Sequence, residues 1–144
     1  MLTFEQACRA IKRGDIALLR TELDAGLSPN LVNDKSSGTL LMVAARDGNT
    51  RIGRLLIERG ADINTIGKHQ GTALLHALFE GNVSFVRMLL AAGASLDPYQ
   101  RINLEYWLRV FFRLPEVTIK NLLSLLGIEE NPQCLEGKWM PRLR

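Results

Sequence analysis

The side chains best suited to chemistry are two histidines and two cysteines, and their spacing gives little support for a reaction. His69 and His76 are seven residues apart, while Cys8 and Cys134 lie near opposite ends of the 144-residue sequence. A catalytic cysteine–histidine pair or a zinc site needs several such groups close to one another. We therefore expect no catalytic site, no metal site and no cofactor.

A glycine-rich stretch from Gly67 to Gly71 has the composition of a phosphate-binding loop without its spacing. It reads GKHQG, whereas a P-loop has four residues between its glycines and a Ser or Thr after a Gly-Lys pair. The net charge of +3 gives little support for a nucleic-acid partner, because the basic residues are spread along the chain among acidic ones. These features predict a protein that is not an enzyme.

No segment has the composition of a membrane anchor or a secretion signal. The longest apolar runs, such as residues 40–45, are far shorter than the roughly 18 to 20 residues that span a bilayer. The first twenty residues also carry charges, including Glu5, Arg9 and Lys12, unlike a signal peptide. The sequence therefore favours a cytoplasmic location.

The segments that must position any functional residue repeat along the chain. Glycines recur at intervals of 33 or 34 residues, in the series 14, 48, 81 and in the series 26, 60, 93, 127. Such a period is typical of solenoid proteins, in which similar units stack on one another. We divide the chain into units 2–33, 34–66, 67–100 and 101–131, followed by a tail at 132–144.

Each unit has the pattern of two short helices separated by a tight turn. Apolar residues such as Ile52, Leu55 and Leu56 recur at helical spacing between the two glycines of a unit. Thr39 and Thr72 are good N-cap residues for the preceding helix, and the first glycine suits its C-cap. The stretch 61–71 favours an extended loop or hairpin. The predicted fold is an all-α repeat solenoid.

The motif that carries a family resemblance is Gly-Thr-x-Leu-x-x-Ala-x-x-x-Gly-Asn, followed by Leu-Ile-x-x-Gly-Ala in the first copy and by Leu-Leu-x-x-Gly-Ala in the second. It occurs twice, starting at residues 38 and 71, and it resembles the ankyrin repeat. The Pro and His of the family's Thr-Pro-Leu-His run are both missing. At the His position stand Cys8, Met42, Leu75 and Leu108. The resemblance covers residues 1–131 and implies about four repeats, ordered more by apolar packing than by that histidine.

The terminal units depart from the motif in the way that a solenoid requires, since each end must present a polar face. Thr21 and Glu22 stand where unit two has Leu55 and Leu56, and Lys120 and Ser124 of unit four stand at the positions that Gly53 and Ile57 hold in unit two. We expect these units to be degenerate caps. The first helix of unit four is predicted around residues 103–113, with Trp107, Phe111 and Trp139 filling the capping core. Cys8 and Cys134 are expected to be free thiols, too far apart for a disulfide.

The resemblance implies a concave binding surface made of the loop tips and first helices. At the outward positions an apolar stripe of Val43, Phe79 and Phe112 is flanked by arginines, and aromatic residues and arginine are enriched in interface hot spots. Isolated apolar residues on a surface are an equally simple interpretation. The predicted partner-binding residues are Val43, Arg46, Ile66, Lys68, His69, His76, Phe79, Tyr99, Arg109 and Phe112.

Three functions fit this surface. The leading hypothesis is a non-catalytic module that binds one folded protein through its concave face and regulates it by blocking, as an inhibitor, an immunity protein or an effector does. The second is electrostatic binding of nucleic acid or an acidic membrane surface, which depends steeply on salt. The third is a structural subunit of a larger assembly. The sequence identifies no particular partner.

Overall fold

A computed structural model describes residues 1–33, 38–68 and 71–135, except for the side chains of Phe111 and Leu135. Helices account for its secondary structure apart from a single antiparallel bridge between Val32 and Thr39 in the described part of the chain. The α-helices are α1 Phe4–Arg13, α2 Ile16–Asp24, α3 Leu40–Asp47, α4 Thr50–Glu58, α5 Ala73–Phe79, α6 Val83–Ala91, α7 Pro98–Tyr106, α8 Glu116–Leu125 and α9 Pro132–Leu135. The predicted all-α repeat solenoid is confirmed.

The predicted caps define the helix ends. The hydroxyls of Thr39 and Thr72 each accept a hydrogen bond, at 3.2 Å, from the backbone N–H three residues later. Gly48 ends α3 in the left-handed conformation, with φ of 76°. A residue with a Cβ is strained there, so glycine at this position fixes the turn into the next helix.

The helices form two layers. The inner helices α1, α3 and α5 pack side by side, and the outer helices α2, α4, α6 and α8 form a second row behind them. The core lies between the layers and is built from aliphatic side chains of every unit. Gly53 lets α4 approach α6 closely, because a Cβ there would lie only 2.5 Å from Cζ of the fully buried Phe85.

Polar side chains connect neighbouring units. Asn82 donates to the carbonyl of Ala45, at 2.8 Å, and so bonds unit three to the end of α3. At the other edge, Arg59 pairs with Asp24 at 2.8 Å. This pair joins the carboxyl end of α4 to that of α2.

The ends of the stack present polar groups, as predicted. Thr21 is exposed on α2, and Glu22 accepts a hydrogen bond from the N–H of Leu2 at 2.9 Å. At the other end Lys120 and Ser124 are exposed on α8. Capping units that keep their outer face polar prevent further stacking of repeats.

Unit four begins differently from the prediction. Its first helix, α7, begins at Pro98 instead of near residue 103, because Asp97 and Gln100 form a reciprocal capping box ahead of it. The long loop that precedes α3 and α5 is therefore missing here, and Tyr99, predicted at a loop tip, lies within a helix. After α7 the chain widens into a π-helical segment, Trp107–Phe111, here called the π turn.

Candidate functional site

The inner face carries an open depression, here called the inner groove. It has a volume of about 920 Å³ and lies across α1, α3 and α5, bounded by the loops near Asn33 and Lys68. Phe4, Cys8 and Met42 form its apolar part. A shallow groove across several repeats suits an extended protein surface better than an enclosed small molecule.

Charged side chains of both signs surround the inner groove. Lys12 and Arg46 line it from α1 and α3, and Asp47 and Glu80 line it from the ends of α3 and α5. Counting α1, α3, α5 and the residue that ends α5, the cations are Arg9, Lys12, Arg13 and Arg46, and the carboxylates are Glu5, Asp47 and Glu80. The four positive and three negative groups nearly cancel, so this face is polar without being strongly basic.

Two titratable side chains of the inner groove, Cys8 and His76, have pKa values shifted toward their neutral forms. Burial raises the pKa of the Cys8 thiol, which disfavours the nucleophilic thiolate. Burial, followed by the nearby Arg46 guanidinium, lowers the pKa of His76 against the weaker opposing effect of Glu80. His76 is therefore a half-buried neutral side chain at neutral pH. This environment does not activate either residue for catalysis.

An aromatic cluster lies at the C-terminal end of the inner face. The rings of Phe79 and Phe112 stack with centroids 4.2 Å apart and an interplanar angle of 8°. Trp107 contacts Phe79 edge to face at 6.0 Å and Tyr99 at 5.9 Å. Phe112 remains 43% exposed, while Phe79 packs against the core on its other side. The structure thus brings together three predicted partner-binding residues: Phe79, Tyr99 and Phe112.

The prediction that the Arg109 side chain faces outward is wrong. Its side chain is 12% exposed and forms ion pairs with Glu105, Glu116 and Glu130. Glu105 is itself buried and also accepts a hydrogen bond from the N–H of Asn131, at 2.7 Å. Arg109 therefore joins the π turn to α8 and to the segment after it, instead of facing a partner.

The π turn explains why the repeat alignment failed at this residue. A π-helical segment adds a residue to the helical turn, so positions within it no longer match those of α3 and α5. Phe112 stays over Phe79, whereas Arg109 points toward α8. Two residues after the segment, Arg113 has a φ of 47°, an uncommon left-handed conformation for a residue other than glycine.

The loop tips add exposed apolar side chains. Ile66 is 59% exposed, as predicted. Val32, which the sequence analysis overlooked, is 43% exposed and lies 34 residues before Ile66, at the same position of the preceding unit. That repeat spacing was the available signal. Val43 is half-buried against the core, so it contributes little exposed surface.

Some predicted residues lie outside the described part of the chain. Among the partner-binding residues this applies to His69, and among the capping residues to Trp139 and the Phe111 side chain. Lys68 is described and lines the inner groove. The two cysteines are free thiols, as predicted. Within 1–33, 38–68 and 71–135 no three His, Cys, Asp or Glu side chains gather as metal ligands would.

Comparison with known proteins agrees with this architecture. Residues 7–100 match the family model of ankyrin repeats in three copies, which is more than half of the chain. The chain therefore belongs to the ankyrin-repeat family, whose repeats are generic protein-interaction modules and are typically not catalytic. Among the described helices, none is long and apolar enough to cross a membrane.

One relative is an ankyrin repeat and KH domain-containing protein from Caenorhabditis briggsae. It is 33% identical over 60 residues, which is 42% of this chain. The chain spans about 2% of that relative's length. This similarity therefore concerns the repeats and does not extend to the functions of the larger protein.

Proposed function

We propose that this protein binds a folded partner protein across its inner face and blocks the partner surface that it covers. The observation that carries the proposal is the stacked pair of Phe79 and Phe112, which keeps a large aromatic ring 43% exposed beside the inner groove. Aromatic side chains that are held rigid supply contact area at low entropic cost and commonly become hot spots.

The charge pattern of the inner face also supports a protein partner. Polyanions are bound by surfaces with a large excess of positive charge. Here the inner face carries four cations and three carboxylates, and Arg46 and Asp47 are neighbours in sequence. Such a mixed pattern selects a partner with complementary charges and disfavours nonspecific attraction to nucleic acid or an acidic membrane.

Blocking is the mode of regulation that this geometry supports. The inner groove and the aromatic cluster extend across all four inner elements, from α1 to the π turn. With helix axes about 8 to 10 Å apart, three steps correspond to a face about 24 to 30 Å long. A face of this length covers a substantial part of a small partner's surface and excludes other ligands from it.

The test is affinity capture from the native cell extract with purified wild-type protein and the variant F112A. The matched control is L18A, which removes a side chain of similar exposure, 39%, from α2 outside the inner groove. A stoichiometric protein retained by wild type and L18A and lost by F112A supports the proposal. With the purified partner, F112A should weaken binding by about 2 kcal/mol or more. Equal capture by all three proteins contradicts it.

A further inference from the structure

The outer helices carry a row of arginines, here called the arginine ladder: Arg20, Arg54 and Arg87. They stand on α2, α4 and α6, 34 and 33 residues apart, and all three are exposed. The outer helices contact one another in the order α2, α4, α6, and the three arginines occupy the equivalent position of successive repeats. The ladder therefore places one exposed arginine at the same repeat position of each successive outer helix.

Among the charges of the outer helices that form no ion pair within the described residues, cations outnumber carboxylates. Three carboxylates near the outer helices are already paired: Glu22 with the N-terminus, Asp24 with Arg59, and Glu116 with Arg109. The outer-helix cations that form no ion pair within the described residues are Arg20, Arg51, Arg54, Arg87 and Lys120. By the same criterion Glu58 is the one unpaired carboxylate of these helices.

The spacing of the ladder identifies the kind of anion that fits it. Neighbouring helix axes are about 8 to 10 Å apart, so successive arginines are separated by roughly that distance. A polyproline II chain has three residues per turn and rises about 3.1 Å per residue, which places every third side chain on one face about 9.3 Å apart. The guanidinium fork binds carboxylates in two parallel hydrogen bonds. An acidic residue at every third position of such a chain matches the ladder.

Other polyanions match less well. Single-stranded nucleic acid is bound largely by stacking bases on aromatic rings. The described outer helices offer no exposed aromatic side chain, because Phe85 on α6 is completely buried. An anionic membrane surface is continuous in charge and gains nothing from arginines in register.

We propose that the arginine ladder is a second binding surface, which takes an extended acidic polypeptide in the polyproline II conformation with an acidic side chain at about every third residue. This surface is separate from the inner groove, which none of the ladder residues lines. The protein can therefore hold such a segment while the inner face is occupied. Glu58, one turn after Arg54, weakens the attraction at the middle of the ladder.

The test measures fluorescence anisotropy of a labelled (Glu-Pro-Pro)₅ peptide with the purified full chain at low salt, about 20 mM, where screening is weak. The control peptide has the same composition with its five glutamates contiguous. The variant R54Q/R87Q should bind the periodic peptide about tenfold more weakly, since two charged contacts are lost. R9Q/R13Q, which removes two cations from α1 instead, should bind within about twofold of wild type. E58Q should bind more tightly than wild type.

Each alternative result overturns a defined part of the proposal. Equal binding of the two peptides removes the register argument, and equal losses in the two arginine variants remove the assignment to the outer helices. A labelled DNA duplex, or phosphatidylserine-containing vesicles, bound more tightly than the peptide with the same dependence on Arg54 and Arg87 would assign the ladder to that class of anion. Circular dichroism of every variant confirms that the fold is retained. None of these outcomes depends on the partner of the inner face.

Discussion

Replacing Arg109 by Met is expected to destabilise unit four strongly. In the wild-type protein Arg109 Nε donates to Glu105 Oε1 at 2.9 Å, and its other nitrogens pair with Glu116 and Glu130. The Glu105 side chain is only 5% exposed, so its charge depends on this partner. In R109M the N–H of Asn131 is the remaining hydrogen-bond donor that the structure assigns to Glu105.

The magnitude follows from the burial of Glu105. Removing one partner of a buried ion pair costs about 3 to 5 kcal/mol, because the other charge is left without compensation. The hydrogen bond from Asn131 N–H still compensates part of the Glu105 charge, which places the expected loss near the lower limit, about 3 kcal/mol. The pairs with Glu116 and Glu130 add little, because both carboxylates are well exposed to solvent.

Urea unfolding monitored by tryptophan fluorescence and by circular dichroism measures the effect. Trp107 reports on unit four, and in a stacked protein this unit can unfold before the others. K120M removes an exposed cation from the same unit and should leave the transition nearly unchanged. E105Q/R109M should recover about 2 kcal/mol of the loss, since no buried charge remains. A loss below about 1 kcal/mol in R109M would refute the assigned role of the pair.

Lowering the pH should also destabilise unit four, by weakening one of the ion pairs of Arg109. The hydrogen bond from Arg109 holds the pKa of Glu116 below its ordinary value of 4.5. The folded state therefore binds this proton less readily than the unfolded state does. The stabilisation is complete above pH 4.5 and is lost as the pH falls through the lowered value. R109M lacks this contribution, so its unfolding should depend less on pH in that range.

Two further predictions concern packing and protonation. G53A should lower the free energy of unfolding by about 1 to 2 kcal/mol, because crowding of the buried Phe85 outweighs the higher helix propensity of Ala. S84A, at an exposed position of α6, should leave the stability unchanged. A higher melting temperature for G53A would contradict the close packing of α4 on α6. His76, whose pKa is lowered from 6.5, favours unfolding as the pH falls below 6.5, because the unfolded state binds the proton more readily. H76Q should flatten the change in urea midpoint between pH 7 and pH 5, and a slope parallel to that of wild type would exclude this assignment.

Most of the fold was predictable from the sequence because local signals and repeat periodicity agree. The threonine caps and the glycines after the first helices fix where those helices begin and end. The apolar spacing fixes which side of each helix is buried. A repeat brings the same residues into contact with the same neighbours, so one unit predicts the next. Units two and three followed this rule most closely.

The structure of unit four was harder to predict because it depends on contacts between residues that are distant in sequence. Asp97 and Pro98 start α7 where the preceding units have a loop. The π turn then shifts the register, so that Arg109 reaches Glu116 and Glu130 instead of the inner face. No periodic signal in the sequence marks this change, since it depends on carboxylates 7 and 21 residues away.

The sequence by itself therefore determined the repeat, the helix pairs and the family, because these depend on local caps and on a period that is visible in one dimension. The tertiary structure decided which charged side chains pair with one another within the protein and which remain exposed to solvent. It stacked Phe79 on Phe112, buried Arg109 among carboxylates and left the arginines of the outer helices exposed in register. Side-chain pairing across units depends on distances in three dimensions, which the spacing of residues along the chain does not specify.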